Sequence, residues 1–557
     1  MDAGFPQGNT KQHGPGDKEN RLDSWKEIAK YVNRQVRTAQ LWEKSEGLPV
    51  HRHLHSRMGT IYAYKSEIDV WWAGRSCHSQ GSQLDKKGDH GGSQGARKIM
   101  LAVLPFTNMS GEPEQEYFND GLTEETITEL GRLNPQQLGV IGRTSAMHYK
   151  DAVRRIDDVG RELGVDYILE GSVRRSAGRL RISVQLNQVK DQTALWSETY
   201  DRDLEDIFSV QTDVAKRITH CLKLELLPGS EFGPPKIPRK NLAAHEAYLK
   251  GRYFWNRRTE EGVRKAIVHF NRAVEEDPGC ALAYSGLADC YCGLSFYEAL
   301  APKDGIPKAR AAVLKALELD GNLGEAHASL GEIHLHSDWQ WANAEKEYRR
   351  AIELSPNYAL GYKWYANFLG LMGRQKEARV MINEAETLDP LSLIVNVWSG
   401  VIYHYDRQYQ NAAQEYARAL ELDPNFVLAH AYLGLACEEL GLIDEAIEEF
   451  QKAIALSKGN TCVHAMLAHA YAISGKRAAA LKVLDNLQSR AQGNYLPSYD
   501  IAIAYAALPD RARAMQWLYR AYEERNLRIV GLRCEPRVDC IRSEQGFQEL
   551  IRLVGLA

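Results

Sequence analysis

The spacing of apolar residues changes along the chain, and each change marks a different kind of structure. Near the N-terminus, apolar side chains recur at helical spacing from Trp25 to Val32, behind Ser24, which can cap a helix there. A second helix is predicted from Val36 to Glu46, after a short turn. Two short helices joined by a tight turn form a helix-turn-helix shape.

The stretch that follows, "VHRHLHSRMGTIYAYK", alternates between apolar and polar residues. This alternation predicts a small hairpin, or wing, that turns near Gly59. Ser66 can cap a third helix, whose Ile68, Trp71 and Trp72 would close the core. The first segment is therefore predicted to be a small winged helix-turn-helix.

A second kind of pattern begins with a short apolar strand at Ile99. A polar loop and a helix with Leu122 and Leu130 facing inward follow it. Further strands and helices then alternate, and two of the strands can form a hairpin about Gly178. This order predicts a compact α/β or α+β domain.

The C-terminal half repeats itself. The phrases "AIELSPNYA", "AETLDPLSL" and "ALELDPNFV" place Pro356, Pro390 and Pro424 at intervals of 34 residues, which is the tetratricopeptide period. In this register the helix-crossing positions hold small residues, the facing positions hold bulky ones and the close-packing positions hold glycine. These are Ala378, Ala412 and Ala446; Tyr348, Ile382, Tyr416 and Phe450; and Gly331, Gly400 and Gly434. An all-α superhelix of about eight helix pairs with a C-terminal capping helix is predicted.

Three stretches separate these patterns. Residues 1–20 and 76–97 are rich in Gly, Gln and charged residues, so we expect a disordered tail and a flexible linker. Residues 229–240 are rich in Pro and Gly, which predicts a further linker. The predicted folded domains are 21–75, 98–228 and 241–557.

Charge is distributed unevenly over these domains. The whole chain carries −4, whereas ten Lys/Arg against six Asp/Glu give residues 21–75 a charge of +4. We expect a phosphate-binding surface on this small basic module, because Lys and Arg contacts release counterions from DNA. The alternative is a structural or protein-binding helical domain whose charges are solvated.

The first domain resembles the MerR and excisionase type of winged helix-turn-helix in "SWKEIAKYV", "RTAQLWEKSEGLPVHRH" and "YAYKSEIDVWW". The resemblance implies DNA binding with the Val36–Glu46 helix in the major groove and the hairpin beside it. Relatives often carry Arg where this chain has Leu41. The candidate DNA-binding residues are Arg34, Arg37, Thr38, Gln40, Lys44, Arg52, His53 and Arg57.

The alternating His51, His53 and His55 raise the question of a metal site. No Cys or carboxylate cluster in the sequence completes a ligand set for them, so a polar face of the wing is the better interpretation. The nine cysteines include no C-x-x-C pair, which argues against both a disulfide framework and a zinc ribbon. We expect no metal and no cofactor.

The middle domain resembles the domain related to the TolB amino-terminal region in "AVLPFTNMSGEPEQEYFNDGLTEE", "GRELGVDYILEGSVRR" and "LWSETYDRDLEDIF". The resemblance implies a sensing or interaction role and brings no catalytic residue set. The carboxylates of Asp120, Glu124 and Glu125 are explained by the helix dipole, whereas Arg143, Thr144 and Ser145 after a strand could hold an anion. Packing and surface roles are preferred to a ligand pocket, and a pocket to catalysis.

The third domain resembles tetratricopeptide repeats from residue 243 to about 525. The concave face of such an array, lined by the first helix of each pair, binds partners. We therefore expect a protein or peptide to bind there, and the repeat register suggests Glu332, Lys363, Asn367, His404 and Glu438 as contacts.

Together these patterns predict a non-enzymatic, cytoplasmic bacterial regulator of transcription, because no signal peptide, membrane span or nucleotide loop is evident in the sequence. Duplex DNA and a protein or peptide are the expected partners. The alternative function is a protein-interaction scaffold in signalling or envelope assembly that does not bind DNA.

Overall fold

The computed structural model divides the chain into two compact units, residues 1–95 and 96–557, which we describe separately. The residues it describes are 21–22, 24–32, 48–53, 60–68, 98–110, 116–133, 136–150, 154–176, 179–203, 241–257, 259–296, 299–457, 460–489 and 495–557.

The described residues of the first unit form the helix α1 (Trp25–Tyr31), a helical turn and a small antiparallel sheet. Helix α1 begins at Ser24, whose hydroxyl accepts a hydrogen bond from the Glu27 N–H, which confirms the predicted cap. Strands β1 (Arg21–Leu22), β2 (His51–His53) and β3 (Thr60–Tyr64) are ordered β1-β3-β2.

The hairpin of β2 and β3 matches the predicted wing and packs over a small core. Ile28 of α1 and Ala63 of β3 are fully buried in that core, together with Leu48 and Ile68. Residues 65–68 are helical, so Ser66 lies inside this turn and does not cap it as predicted, because the strand runs directly into the helix. The predicted Val36–Glu46 helix lies outside the described residues.

The second unit begins with an α/β domain. Its strands are β4 (Ile99–Val103), β5 (Thr107–Asn108), β6 (Leu138–Val140), β7 (Tyr167–Ser176), β8 (Arg179–Gln188) and β9 (Ala194–Asp203), and its helices are α2 (Glu116–Leu133), α3 (Arg143–Met147) and α4 (Ile156–Leu163). The sheet order is β6-β4-β7-β8-β9, with β5 paired to β7. Strand β4 runs parallel to β6 and β7, and β7, β8 and β9 are antiparallel, so the domain is α/β and the predicted hairpin of β7 and β8 is extended by β9.

Eight helix pairs follow among the described residues, the number predicted. They are α5 (Leu242–Trp255) and α6 (Glu260–Glu276), α7 (Ala281–Phe296) and α8 (Pro302–Leu319), α9 (Gly324–Ile333) and α10 (Trp341–Leu354), α11 (Ala359–Leu371) and α12 (Gln375–Leu388), α13 (Leu393–Tyr405) and α14 (Tyr409–Leu422), α15 (Val427–Glu439) and α16 (Ile443–Leu456), α17 (Thr461–Ile473) and α18 (Arg477–Ser489), and α19 (Ser498–Ala507) and α20 (Arg511–Glu523). The predicted capping helix is α21 (Gln545–Val554).

The two helices of a pair approach closely where the repeat register places glycine. A Cβ atom on Gly400 would lie 2.3 Å from Tyr416 Cε1, and one on Gly434 would lie 2.6 Å from Phe450 Cε1. Tyr416 and Phe450 are fully buried. The glycine and bulky positions assigned from the period are therefore confirmed.

The α/β domain docks on the loops that join successive repeats. Asn357, in the loop before α11, donates hydrogen bonds to the carbonyls of Gly131 and Leu138. Asp389, in the loop before α13, accepts hydrogen bonds from the N–H and hydroxyl of Ser145. The α/β domain and the repeats consequently form one packed unit.

The end of the chain closes the repeat array on itself. The ring of Trp339, between α9 and α10, lies 5.3 Å from the ring of Tyr522 in α20. Trp341 Nε1 donates a hydrogen bond of 2.9 Å to the Gly555 carbonyl. The third and eighth helix pairs are thus in contact, and the inner face of the array is enclosed between them.

Candidate partner-binding site on the inner face

A cavity of about 100 Å³ lies on the inner face of the array. The first helices of five successive pairs, α5, α7, α9, α11 and α13, supply most of its walls. Leu527 supplies another and belongs to residues 525–542, which we call the C-terminal segment. Its lining residues are Trp255, Asp289, Cys292, Gly293, Phe296, Ile306, Ser329, Glu332, His336, Leu360, Lys363, Trp364, Asn367, Ile394, Trp398 and Leu527.

Three of the five candidate contacts, Glu332, Lys363 and Asn367, meet at this cavity. The Lys363 ammonium lies 4.4 Å from the ring centroid of Trp398, a cation–π contact. Glu332 Oε1 accepts a hydrogen bond from the Tyr348 hydroxyl, and Asn367 Oδ1 accepts one from the Tyr405 hydroxyl. Lys363 and Asn367 are buried, so any ligand that reaches them must enter the cavity.

The other two candidates, His404 and Glu438, lie farther along the array beside the C-terminal segment. Both are buried. Glu438 Oε1 accepts a hydrogen bond of 3.1 Å from His469 Nδ1 of the next pair. Burial lowers the pKa of His404 to about 4, and the nearby Arg537 and Arg407 cations oppose the raising effect of Glu535. His404 is therefore a neutral imidazole at neutral pH.

Near His404 and Glu438, the C-terminal segment contains a buried ion pair between Glu535 and Arg537. Arg537 donates two hydrogen bonds, of 2.8 and 2.9 Å, to the Glu535 carboxylate. Burial opposes ionisation of Glu535, but the Arg537 guanidinium outweighs it and lowers the Glu535 pKa. The bidentate geometry fixes both side chains against the inner face.

The C-terminal segment crosses the inner face from the third pair to the fifth. The Leu527 carbonyl accepts a hydrogen bond of 2.8 Å from His336 Nδ1. Cys534 Sγ lies 3.6 Å from the Gly370 carbonyl of α11. Arg407, after α13, donates two hydrogen bonds to the Asp539 carboxylate. The chain itself thus occupies much of the face predicted to bind a partner.

The sequence analysis did not single out two further residues that line the cavity, His336 and Trp398. Trp398 Nε1 is buried and has no hydrogen-bond partner among the described residues, whereas the buried His336 Nε2 lies 3.6 Å from Glu332 Oε2. The repeat period contains a signal that finds Trp398, because it follows Trp364 by 34 residues and both line the cavity. His336 lies in a π-helical turn, His334–Asp338, which interrupts that period.

Arg143, Thr144 and Ser145, the residues expected to hold an anion, contact carboxylates of the same chain. The N–H and hydroxyl of Ser145 both donate to Asp389 Oδ1, at 2.7 and 2.6 Å. Burial raises the pKa of Asp389, and the Ser145 and Thr144 hydroxyls oppose that rise. Arg143 pairs with Glu124, which is also contacted by Arg252 of α5 at 2.5 Å. Packing between domains, the preferred interpretation, accounts for these groups.

The neighbouring Asp120 is paired as well. Lys150 Nζ lies 2.7 Å from both Asp120 Oδ1 and Glu116 Oε2. Burial raises the pKa of Asp120 despite these contacts, whereas Arg252 and Arg143 outweigh burial and lower the pKa of Glu124. The cluster is an ionic network that ties α2 to α3 and α5.

Of the candidate DNA-binding residues, Arg34, Arg37, Thr38, Gln40, Lys44 and Arg57 lie outside the described residues. The backbone of Arg52 and His53 lies in β2, where these residues pair with Ile61 and Thr60. His51 Nε2 lies 2.6 Å from Glu67 Oε2, and its ring stacks on Tyr62. This pairing gives His51 a structural role on the wing.

The described part of the chain contains no cluster of His, Cys, Asp and Glu suited to holding a metal ion. None of its helices has the length and apolar character required to cross a membrane.

The fold and this inner face define a repeat protein of the tetratricopeptide class joined to an α/β domain. Residues 401–461 and 438–499 match tetratricopeptide repeat models. Residues 96–218 match the model of the HilA/YgeH-like transcriptional regulator, second domain.

Individual proteins resemble parts of the chain. It is 37% identical over 235 residues to "Putative adenylate cyclase 3" of Rhizobium meliloti, covering 42% of this chain and 40% of that protein. It is 23% identical over 333 residues to the transcriptional regulator HilA of Salmonella typhimurium, covering 59% of this chain and 58% of that protein. The chain thus spans about half the length of these relatives. A solved structure of an IFIT1 monomeric mutant with Gppp-AAAA has a TM-score of 0.42 at 17% identity, covering 62% of this chain and 76% of that one.

Proposed function

We propose that this protein is a non-enzymatic regulator of transcription that binds DNA through its first domain and a protein or peptide through its repeats. The observation that carries the proposal is the match of residues 96–218 to the second domain of HilA/YgeH-like transcriptional regulators. That domain is packed on the repeats through buried hydrogen bonds, so the two act as one body.

The DNA-binding half of the proposal rests on residues 21–75. Their charge of +4 favours phosphate contact. The capped helix α1 and the β2–β3 hairpin are two of the parts that a MerR-like winged helix-turn-helix requires. We infer that Arg34, Arg37, Thr38, Gln40 and Lys44 read or clamp the duplex from the second helix, and that Arg52, His53 and Arg57 do so from the wing.

The TolB-like α/β domain acts in this proposal as the coupling element. Its helix α3 and strand β6 hold the repeat loops at Asp389 and Asn357. A change in the curvature of the repeats would therefore move the α/β domain as a rigid part. Partner contact is proposed at Glu332, Lys363, Asn367, His404 and Glu438, where the C-terminal segment now lies.

Genome-wide DNA occupancy of the full-length protein, compared with a form lacking residues 21–75, tests the DNA-binding half. We expect discrete occupied sites that disappear with the deletion. In vitro, Arg37→Ala with Lys44→Ala should weaken duplex binding by the full chain and reduce its salt slope by about one per lost phosphate contact.

A matched control removes the same charge elsewhere. Arg477→Ala with Lys482→Ala changes two exposed residues of α18. Equal weakening by both double variants would indicate a non-specific charge effect and would contradict a DNA-reading role for the first domain.

The alternative is an interaction scaffold that does not bind DNA. It is favoured by the repeats, which match models typical of protein-binding arrays. Partners captured equally by the full chain and by the form lacking residues 21–75, together with no discrete occupancy of DNA, would support it.

The resemblance to a protein named as an adenylate cyclase makes catalysis the third hypothesis. The chain matches only 40% of that protein. We propose that the part held in common is regulatory, and an assay of ATP turnover and cyclic AMP formation by the full chain tests this. Turnover above a no-protein control would overturn the non-enzymatic assignment.

A further inference from the structure

The wall of the cavity on the inner face is mostly apolar and largely aromatic. Four first helices each contribute one aromatic side chain, and these are Trp255, Phe296, Trp364 and Trp398. The rings of Phe296 and Trp398 lie 6.1 Å apart at an angle of 45°. Aliphatic side chains complete the apolar surface, and these are Ile306, Leu360, Ile394 and Leu527. Hydrophobic and aromatic side chains predominate in this way at small-molecule sites.

The carboxylates of the lining are engaged by other side chains of the repeats. Glu332 Oε1 accepts a hydrogen bond of 2.6 Å from the Tyr348 hydroxyl, and Glu332 Oε2 lies 3.6 Å from His336 Nε2. Asp289 accepts a hydrogen bond from the Ser329 hydroxyl. Because both carboxylates have partners within the fold, neither of them requires a charged ligand.

The lysine of the lining is engaged as well. The Lys363 ammonium lies 4.4 Å from the ring centroid of Trp398 and 5.1 Å from that of Trp364. These cation–π contacts hold the ammonium within the wall, where Lys363 is 5% exposed. The cavity therefore offers a ligand mainly uncharged surface, formed by aromatic rings and aliphatic groups.

The volume of the cavity sets the size of the molecule that can fill it. At about 100 Å³ it is of the same order as an apolar cavity of ~150 Å³ that takes up a benzene ring. Protein interiors hold few voids larger than a water molecule, so a space of this size between packed helix pairs is uncommon. An aromatic molecule in it would provide the van der Waals contacts that the rings of the wall otherwise lack.

We propose that this cavity binds a small, uncharged molecule with a single aromatic ring. The ring lies among Phe296, Trp364 and Trp398, where offset-stacked and edge-to-face contacts are available to it. The site is independent of DNA binding and gives the protein an effector function, located in the repeats, that the proposed function does not include.

The cavity shares two structural elements with the interface between the repeats and the α/β domain. Leu360 lines both the cavity and the crevice at that interface. At the end of α5, Trp255 lines the cavity, while Arg252 and Asn256 donate hydrogen bonds to Glu124 of α2. A ligand that binds only the folded wall stabilises these elements, so hydrogen exchange of α5 should slow when the ligand is added. Unchanged exchange of α5 in the presence of a bound ligand would contradict this coupling.

Calorimetric titration of the full chain with benzene, toluene and p-cresol tests the proposal. Benzylamine and benzoate, which carry a charge on the same ring, are the comparison ligands. We expect saturable binding of at least one uncharged ring. Both charged ligands should bind at least about tenfold more weakly, because a charge buried without a partner is costly.

The variant Ile394→Trp fills the cavity from α13 and should weaken binding of the uncharged rings by at least about tenfold. Ile473→Trp is the matched control and should leave affinity unchanged, because Ile473 is 42% exposed at the end of α17 and is not part of the lining. Leu527→Ala enlarges the cavity, so it should bind the two-ring molecule indole at least about tenfold more tightly than the wild-type protein does. Thermal unfolding of each variant without ligand checks that the fold is retained.

Four results would overturn the proposal. They are no saturable binding of any of the three uncharged rings, equal binding of the charged comparison ligands, equal affinity in Ile394→Trp and Ile473→Trp, and unchanged indole binding in Leu527→Ala. The first result would mean that solvent alone fills the cavity. Loss of DNA occupancy on deleting residues 21–75 tests the proposed function separately, so the failure of one is distinguishable from the failure of the other.

Discussion

Asp389 accepts two hydrogen bonds on one oxygen from Ser145, a residue 244 positions earlier in the chain. In other repeats the equivalent aspartates, Asp320 and Asp423, instead accept a hydrogen bond from the N–H two residues later. At Asp389 that N–H belongs to Leu391, and it donates to the Ser145 hydroxyl. One repeat loop has thus exchanged its own turn contact for a contact between domains.

The first prediction concerns this contact. Asp389→Ala leaves the Ser145 N–H and hydroxyl buried without an acceptor, so it should lower the free energy of unfolding by about 2–3 kcal/mol. Denaturant unfolding of the full chain measures the loss, and we expect the α/β domain to unfold in a separate transition. Asp423→Ala removes only an exposed turn contact and should cost about 1 kcal/mol or less. Equal losses in the two variants would show that the contact does not hold the domains together.

The second prediction concerns close packing within a pair. Gly434→Ala places a Cβ atom 2.6 Å from the buried Phe450 ring, which must shift. Overpacking of this kind should cost about 1–3 kcal/mol, read from the midpoint of denaturant unfolding. Gly321→Ala is the control, because its Cβ atom would lie 3.6 Å from the nearest atom. A Gly434→Ala protein as stable as the control would contradict the packing described here.

The third prediction concerns His430, a buried histidine of α15. The His430 ring, when protonated, donates from Nδ1 to Glu449 and from Nε2 to the Pro424 carbonyl. Burial opposes this charge, but Glu449 and the carbonyl outweigh it and raise the His430 pKa. Because the pKa is raised on folding, the stabilisation is complete below the unfolded value near 6.5 and is lost as pH rises through the folded pKa.

His430→Asn checks this pH dependence, since Asn396 occupies the same register position and bonds the Pro390 carbonyl. The wild-type protein should be more stable than this variant by about 1–2 kcal/mol near pH 6, with a smaller difference near pH 9. Urea unfolding at the two pH values measures both differences. A difference that stayed constant or grew with pH would rule out the imidazolium.

The fourth prediction concerns two carboxylates that share one cation. Arg418 Nη1 lies 3.6 Å from Glu415 and 4.0 Å from Glu386. Burial and the Glu386 charge raise the pKa of Glu415 to about 7. Because folding raises the pKa of this carboxyl, the folded protein becomes less stable as pH rises from the pKa of the unfolded chain to above 7. Over that range the folded state must release a proton that it binds more tightly than the unfolded chain does.

Glu415→Gln should therefore raise stability by about 1–2 kcal/mol at pH 8 and have little effect near pH 4.5. Thermal unfolding at both pH values provides the measurement. Glu421→Gln, an exposed position on the same helix, should show no such dependence. Stabilisation of equal size at both pH values would contradict a raised pKa of Glu415.

The fifth prediction addresses the C-terminal segment. Arg528 Nη1 lies 3.1 Å from Asp500 Oδ1, and Asp500 is 1% exposed. Arg528→Met leaves a buried carboxylate without this cation, which should cost about 3 kcal/mol and speed hydrogen exchange of residues 525–542. Arg520→Met breaks a more exposed pair with Glu524 and should cost under about 1 kcal/mol. Unchanged exchange in Arg528→Met would show that the pair does not hold the segment on the inner face.

The elements of this fold could largely be predicted from the sequence because they depend on local spacing. Ser24 as a cap, the hairpin around β2 and β3 and the glycine positions Gly400 and Gly434 all follow from capping chemistry and period. The register of the repeats also placed Glu332, Lys363 and Asn367 on one face, where the cavity lies. The DNA-binding residues proposed in the first domain remain predictions.

Local spacing along the sequence is therefore enough to predict the capped helix and hairpin of the first unit, the strands and helices of the α/β domain, and the helix pairs of the repeats with the face on which polar residues gather. Only the tertiary structure decided that the C-terminal segment covers that face, that Asp389 bonds Ser145 and that His336 meets Trp398 at one cavity. The reason is physical. Periodicity records contacts between residues a few turns apart, whereas these contacts join residues that are distant in the chain and come together only when the superhelix closes.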